Sequence, residues 1–238
     1  MDKKNNPYYL GIDLCDAYAM VSFYQLHMEE PDTVSAIAGS ENYRIPVILA
    51  RRKNVGMWYY GDEAKKMAKT SEVLCVDCLL QRAVNKEKIL VGDTSYDAVE
   101  LLALFLKKVM ELPQKLGAST HVDRLVITVE KLTKDNMEVF WKVANKLELT
   151  EEHFMVIDHK ESFYYFALSQ QKELWNHDVF LFSCEGDTLF SYDLKRDVRT
   201  TPQVVTIRES APQQLGENRD ASFSNIMTES FMNRIVSS

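Results

Sequence analysis

The chain has 238 residues, a formal net charge of −7 and 46% hydrophobic residues, enough for one large globular domain or two small ones. The acidic balance argues against nucleic acid as a partner, because neutralising phosphates needs clustered Lys and Arg. No apolar run approaches the roughly 20 residues that span a bilayer, and the polar start Met-Asp-Lys-Lys-Asn-Asn-Pro has no apolar segment behind it, so a cytoplasmic protein with no membrane partner is expected.

Residues 8–24 carry two apolar runs about a short polar turn and are predicted to form a β-hairpin. Residues 33–37 read as a short strand, followed by extended runs at 43–50 and 56–60. Arg51-Arg52-Lys53, the only compact basic cluster, reads as a solvated turn between them. Residues 61–68 have helical periodicity and an acidic first turn. Residues 95–112 are predicted to be a helix buried on most sides, ended by Pro113 and Gly117. A buried strand follows at 122–129. Thr133 then caps a helix over 134–147 with an apolar stripe of Met137, Phe140, Trp141, Ala144 and Leu147. Residues 154–157 read as a strand and 160–170 as a helix. A second hairpin is expected at 178–194, a strand at 203–208, a loop at 211–216 and an amphipathic helix at 220–236. Strands alternating with helices point to an α/β fold with crossover helices.

The cysteines are Cys15, Cys75, Cys78 and Cys184. Cys75 and Cys78 form a lone Cys-x-x-Cys. A zinc site needs two further ligands at suitable spacing, and none follows. A helix over residues 74–83 would place both thiols on one face with Leu79, Leu80 and Ala83, so the pair reads as structural.

Four stretches carry a family resemblance. They are Gly11-Ile12-Asp13-Leu14 leading into the first turn, Ile45-Pro46, Gly61-Asp62-Glu63-Ala64-Lys65, and the strand–helix–strand–helix run from Leu125 to Leu168. In this order they resemble the nucleotide-binding domain of the seventy-kilodalton heat-shock chaperones, a branch of the actin-like ATPase superfamily. The resemblance implies an α/β, actin-like (ribonuclease H-like) two-lobe fold with mixed sheets and crossover helices. Residues 1–175 would be the first lobe with its inserted subdomain, and 176–238 the start of an incomplete second lobe. The adenine-holding glycine-rich loop of the family would lie beyond Ser238, so the chain is expected to be a piece of a longer protein or a natural half-clamp.

The resemblance also implies where chemistry would reside. Two phosphate hairpins cradle the nucleotide through backbone N–H groups and small hydroxyls, carboxylates hold Mg²⁺ through water, and a lysine steers the attacking water. Asp13 matches the first metal-side carboxylate and Lys65 the catalytic lysine. The other positions depart. Cys15, Asp16 and Ala17 stand where Gly-Thr-Thr is typical. In the second loop Ser183 replaces the catalytic Asp, and Glu185 and Asp187 replace glycines, while Gly186 and Thr188 remain. Phe190 falls where a second acidic residue is usual, and His159 takes the place of a Glu.

Cys15, Asp16, Gly186, Asp187 and Thr188 are therefore the phosphate-loop positions, and Asp13, Asp16, Glu185 and Asp187 the candidate divalent-cation ligands. One carboxylate about 4 Å from a phosphate oxygen repels it by roughly 4 kcal/mol at an effective dielectric near 20. The expected protein is thus a pseudo-ATPase with no cofactor, a binding or regulatory module. The alternatives are a divergent ATPase using ATP or ADP with Mg²⁺, and an actin-like filament protein. The aromatic run Phe163, Tyr164, Tyr165 and Phe166 is the candidate surface for an unknown protein partner.

Overall fold

A computed structural model describes residues 7–37, 39–53, 56–70, 73–118, 121–169, 179–185, 188–197, 199 and 204–215. The chain opens with the expected hairpin, β1 (Tyr8–Leu14) and β2 (Tyr18–Gln25), followed by β3 (Asp32–Thr33), β4 (Ile45–Pro46), β5 (Leu49–Arg52) and β6 (Trp58–Tyr60). Helix α1 (Gly61–Met67), β7 (Val73–Val76) and α2 (Leu79–Val84) come next. A second hairpin, β8 (Lys88–Val91) and β9 (Thr94–Asp97), leads into α3 (Ala98–Met110) and the single turn α4 (Leu112–Lys115). Then β10 (Val122–Val129), α5 (Lys134–Lys146), β11 (Phe154–Asp158) and α6 (His159–Ser169) alternate. The last described elements are β12 (Val179–Glu185), β13 (Thr188–Asp197), β14 (Val204–Glu209) and β15 (Gln213–Gln214). The fold is mixed α/β, with two compact units, Met1–Ser162 and Phe163–Ser238. The predicted helix at 220–236 lies outside the described residues.

The first unit is built on a sheet of order β11-β10-β1-β2-β3, with β4 also on β2. The β1–β2 pair is antiparallel, whereas β1–β10 and β10–β11 are parallel. Parallel neighbours require crossovers, and α5 supplies the one between β10 and β11. Strand alternation explains the core: Tyr8, Leu10, Ile12 and Leu14 of β1 are buried, and so are Leu125, Ile127 and Val129 of β10. They pack in one cluster with Phe105 of α3 and Phe140 of α5, both fully buried. Each such ring contributes roughly 1.5–3 kcal/mol of burial free energy. The opposite face of β1 carries Tyr9, Gly11 and Asp13, which are only partly covered.

Several boundaries differ from the sequence reading, each for a local reason. Residues 94–97 are strand, because Gly92 and Asp93 turn a hairpin there, with Gly92 at φ 66. Helix α3 starts after Asp97, whose side chain accepts from the Val99 amide within a capping box completed by Glu100. The predicted helix over 74–83 divides into strand β7 and helix α2. Helix α5 buries Asn136, Val139, Phe140, Val143 and Ala144, and leaves Met137 and Trp141 exposed. Its buried face is rotated from the expected stripe because Asn136 turns inward, completing the Thr133 capping box and donating to Lys131 O at 2.8 Å. Arg51 is not a solvated turn residue. It lies on β5 with its guanidinium against the Trp58 and Tyr96 rings, and Nη1 donates to the Tyr96 hydroxyl at 2.8 Å.

In the second unit β12 and β13 form the expected hairpin, and β14 and β15 both pair with β13. Residues 213–214, expected in a loop, are a short strand. Ala167 of α6, Tyr192 and Leu194 form a small core there, with Tyr164 packed against it.

Candidate functional site

The candidate site lies at the end of β1, on the partly covered face of the first sheet. Asp13 is paired in register with Thr128 of β10, so the two side chains emerge side by side. The Thr128 hydroxyl donates to Asp13 Oδ1 at 3.0 Å. His159 is the first residue of α6, just beyond the edge strand β11, and its side chain reaches across β10. Its Nε2 lies 2.7 Å from the same Asp13 oxygen. The two side chains are 27% and 28% exposed, a setting between a screened surface pair and a desolvated one. The start of α6 is held by Asp158, whose Oδ1 accepts from the Glu161 amide at 2.8 Å.

Beyond Leu14 the chain reverses over Cys15, Asp16, Ala17 and Tyr18. The Cys15 amide donates to Tyr18 O at 3.0 Å. The thiol faces inward on its own turn, with Sγ 3.4 Å from both Tyr18 O and Tyr18 N. Asp16 points away from its own hairpin: its Oδ1 accepts the Gln81 amide at 3.0 Å. Gln81 is in the first turn of α2, where Cys78 provides no side-chain cap. Asp16 therefore satisfies a helix-end amide from 65 residues away. Tyr18 sits under the Arg44 guanidinium, 4.8 Å from the ring centre. Burial raises the Tyr18 hydroxyl pKa most, Cys15 adds to this, and Arg44 opposes it.

The resemblance pairs Asp13 with Lys65 as catalytic groups. Lys65 is exposed on α1 and makes no hydrogen bond or ion pair among the described residues. The motif around it serves packing. Gly61 has φ +61 and Ala64 is fully buried. At the second hairpin Thr188 Oγ1 accepts from Gln214 Nε2 at 2.9 Å, and Ser183 pairs with Phe190. Gly186 and Asp187 lie outside the described residues, and only the backbone of Glu185 is described.

Among the described residues no group of three or more His, Cys, Asp or Glu is placed to hold a metal ion. In the first loop Asp13 Oδ1 is engaged by Thr128 and His159, and Asp16 Oδ1 by the Gln81 amide. Among the described residues no helix is long and apolar enough to cross a membrane.

Sequence reasoning singled out His159 as a replacement but not its bond to Asp13, and it missed Thr128 and Gln81. The signal for Thr128 was its place in a strand that could lie beside β1. Gln81 had none, since any residue supplies a backbone amide.

A family model described as "Family of unknown function (DUF5716) C-terminal" matches residues 30–238. The chain belongs to that family. The match includes Thr128, His159, Lys65, Cys75 and Cys78, and begins after the β1–β2 hairpin that carries Asp13. No curated protein matches the chain.

Proposed function

We propose that this member of the DUF5716 C-terminal family is a degenerate nucleotide-binding scaffold of the actin-like, chaperone-type kind, acting as a non-hydrolysing binding or regulatory module. One observation carries the reading. Both carboxylates of the first loop are engaged by the protein itself: Asp13 by His159 and Thr128, Asp16 by the Gln81 amide. A phosphate hairpin with working chemistry keeps such groups for metal and ligand. The mixed sheet with a β-hairpin beside parallel crossover strands supports the scaffold part of the proposal. Tyr165 and Phe166, 50% and 63% exposed, support a protein partner at α6.

Calorimetric titration with ATP and ADP, each with and without Mg²⁺, tests it, together with a turnover assay on wild type and on Asp13→Ala and Lys65→Ala. The expected outcome is no turnover and no Mg²⁺-dependent nucleotide binding. Hydrolysis that disappears in either variant would make the protein a divergent Mg²⁺-ATPase instead.

A further inference from the structure

Two exposed thiols flank Val76 and Asp77. Cys75 stands on β7, an edge strand of the small sheet β6-β5-β7, in register with Ala50. Cys78 immediately precedes α2. Cysteine is among the most frequently buried residue types, yet both residues are exposed, unbridged and outside the core. Neither thiol makes a hydrogen bond among the described residues. Cys15, by contrast, is partly covered and tied to its own turn.

The backbone sharpens the point. Cys78 has φ 50 and ψ 42, the left-handed region, where a β-carbon is strained and glycine would be free. It occupies a cap position where Ser, Thr, Asp or Asn would bond the helix amides, and Asp16 does that work from the hairpin instead. Among the described residues neither thiol is used by the fold.

We propose that Cys75 and Cys78 form a reversible dithiol site whose reaction partner is a low-molecular-weight disulfide of the glutathione type. A thiolate from one cysteine attacks a sulfur of oxidised glutathione, breaking its S–S bond. One glutathione thiolate leaves and a mixed disulfide remains on the protein. The second cysteine gives its proton to solvent, attacks the protein-side sulfur and expels the second glutathione. Two protein thiols are oxidised to one disulfide, and one glutathione disulfide is reduced to two thiols. Partial desolvation and the Asp77 carboxylate raise the Cys75 thiol pKa, which lowers its thiolate fraction. The product bond closes three residues before the amide held by Asp16.

The test is incubation of the full chain with oxidised glutathione, read by free-thiol titration, intact mass and peptide mapping. Wild type should lose two thiols, gain no glutathionyl mass, show a bond joining Cys75 to Cys78, and recover both thiols in reduced glutathione. Cys75→Ser and Cys78→Ser, exposed changes that leave the core untouched, should each retain one glutathionyl group on the remaining cysteine of the pair. A wild-type chain that keeps all its thiols, accumulates a stable glutathionyl adduct, or closes its bond through Cys15 or Cys184 would overturn the proposal.

Discussion

His159 Nε2 and Asp13 Oδ1 lie 2.7 Å apart although 146 residues separate them in the chain. The contact ties the first strand of the central sheet to the start of α6. Removing the carboxylate also takes the acceptor from Thr128, so Asp13→Ala should destabilise the protein by about 1–2 kcal/mol. A double-mutant cycle of Asp13→Ala with His159→Ala, measured by urea denaturation, should give a coupling of about 1 kcal/mol. Additivity within about 0.3 kcal/mol would mean the two groups do not support each other.

Asp16 makes a cap of unusual reach, and its role is separable from charge. Asp16→Ala should cost about 1 kcal/mol and speed hydrogen exchange at the Gln81 amide. Asp16→Asn, which keeps an acceptor oxygen, should retain most of that protection. Equal exchange in wild type and Asp16→Ala would show that the bond contributes nothing in solution.

The motif Gly61-Asp62-Glu63-Ala64-Lys65 allows packing and chemistry to be tested apart. A β-carbon at Gly61 would meet Ile45 Cγ2 at 3.1 Å on a backbone at φ +61. Gly61→Ala should therefore destabilise by about 1–3 kcal/mol. Lys65→Ala, on an exposed position, should stay within about 0.5 kcal/mol. Thermal denaturation of both variants decides; a large loss at Lys65 would reveal a structural contact that the exposed side chain does not show.

Glu100 supplies a pH dependence of known sign. The hydrogen bond from Lys146, then the Asp97 amide, holds its carboxyl pKa below the usual 4.5. A carboxylate whose folded pKa is lowered stabilises the fold above its unfolded value, and that contribution fades as pH falls through the folded one. The pair is largely exposed, so the effect is small. Glu100→Gln should be less stable than wild type by a constant amount above pH 4.5, with the gap closing at lower pH. A gap that widens on acidification would contradict the assignment.

Alternating apolar residues were enough to place β1, β2 and β10, and the aliphatic run of α3 announced a buried helix, because these patterns express a local period against a single core. The same period was ambiguous where two apolar arcs competed. On α5 the choice between Met137 with Trp141 and Val139 with Val143 was decided by Asn136 turning inward to bond Lys131. A helix over residues 74–83 would place both thiols on one face with Leu79, Leu80 and Ala83, but pairing of β7 with β5 draws residues 73–76 into a strand, and both cysteines are exposed. The sequence by itself determined that acidic side chains, Asp13 and Asp16, stand at the end of β1 and in the turn that follows. Only the tertiary structure decided what those carboxylates do. Asp13 meets Thr128 through parallel strand pairing and His159 through the start of α6, and Asp16 meets the Gln81 backbone amide. Such partners lie far apart along the chain, and a backbone amide leaves no mark in side-chain pattern, so no local reading could have supplied them.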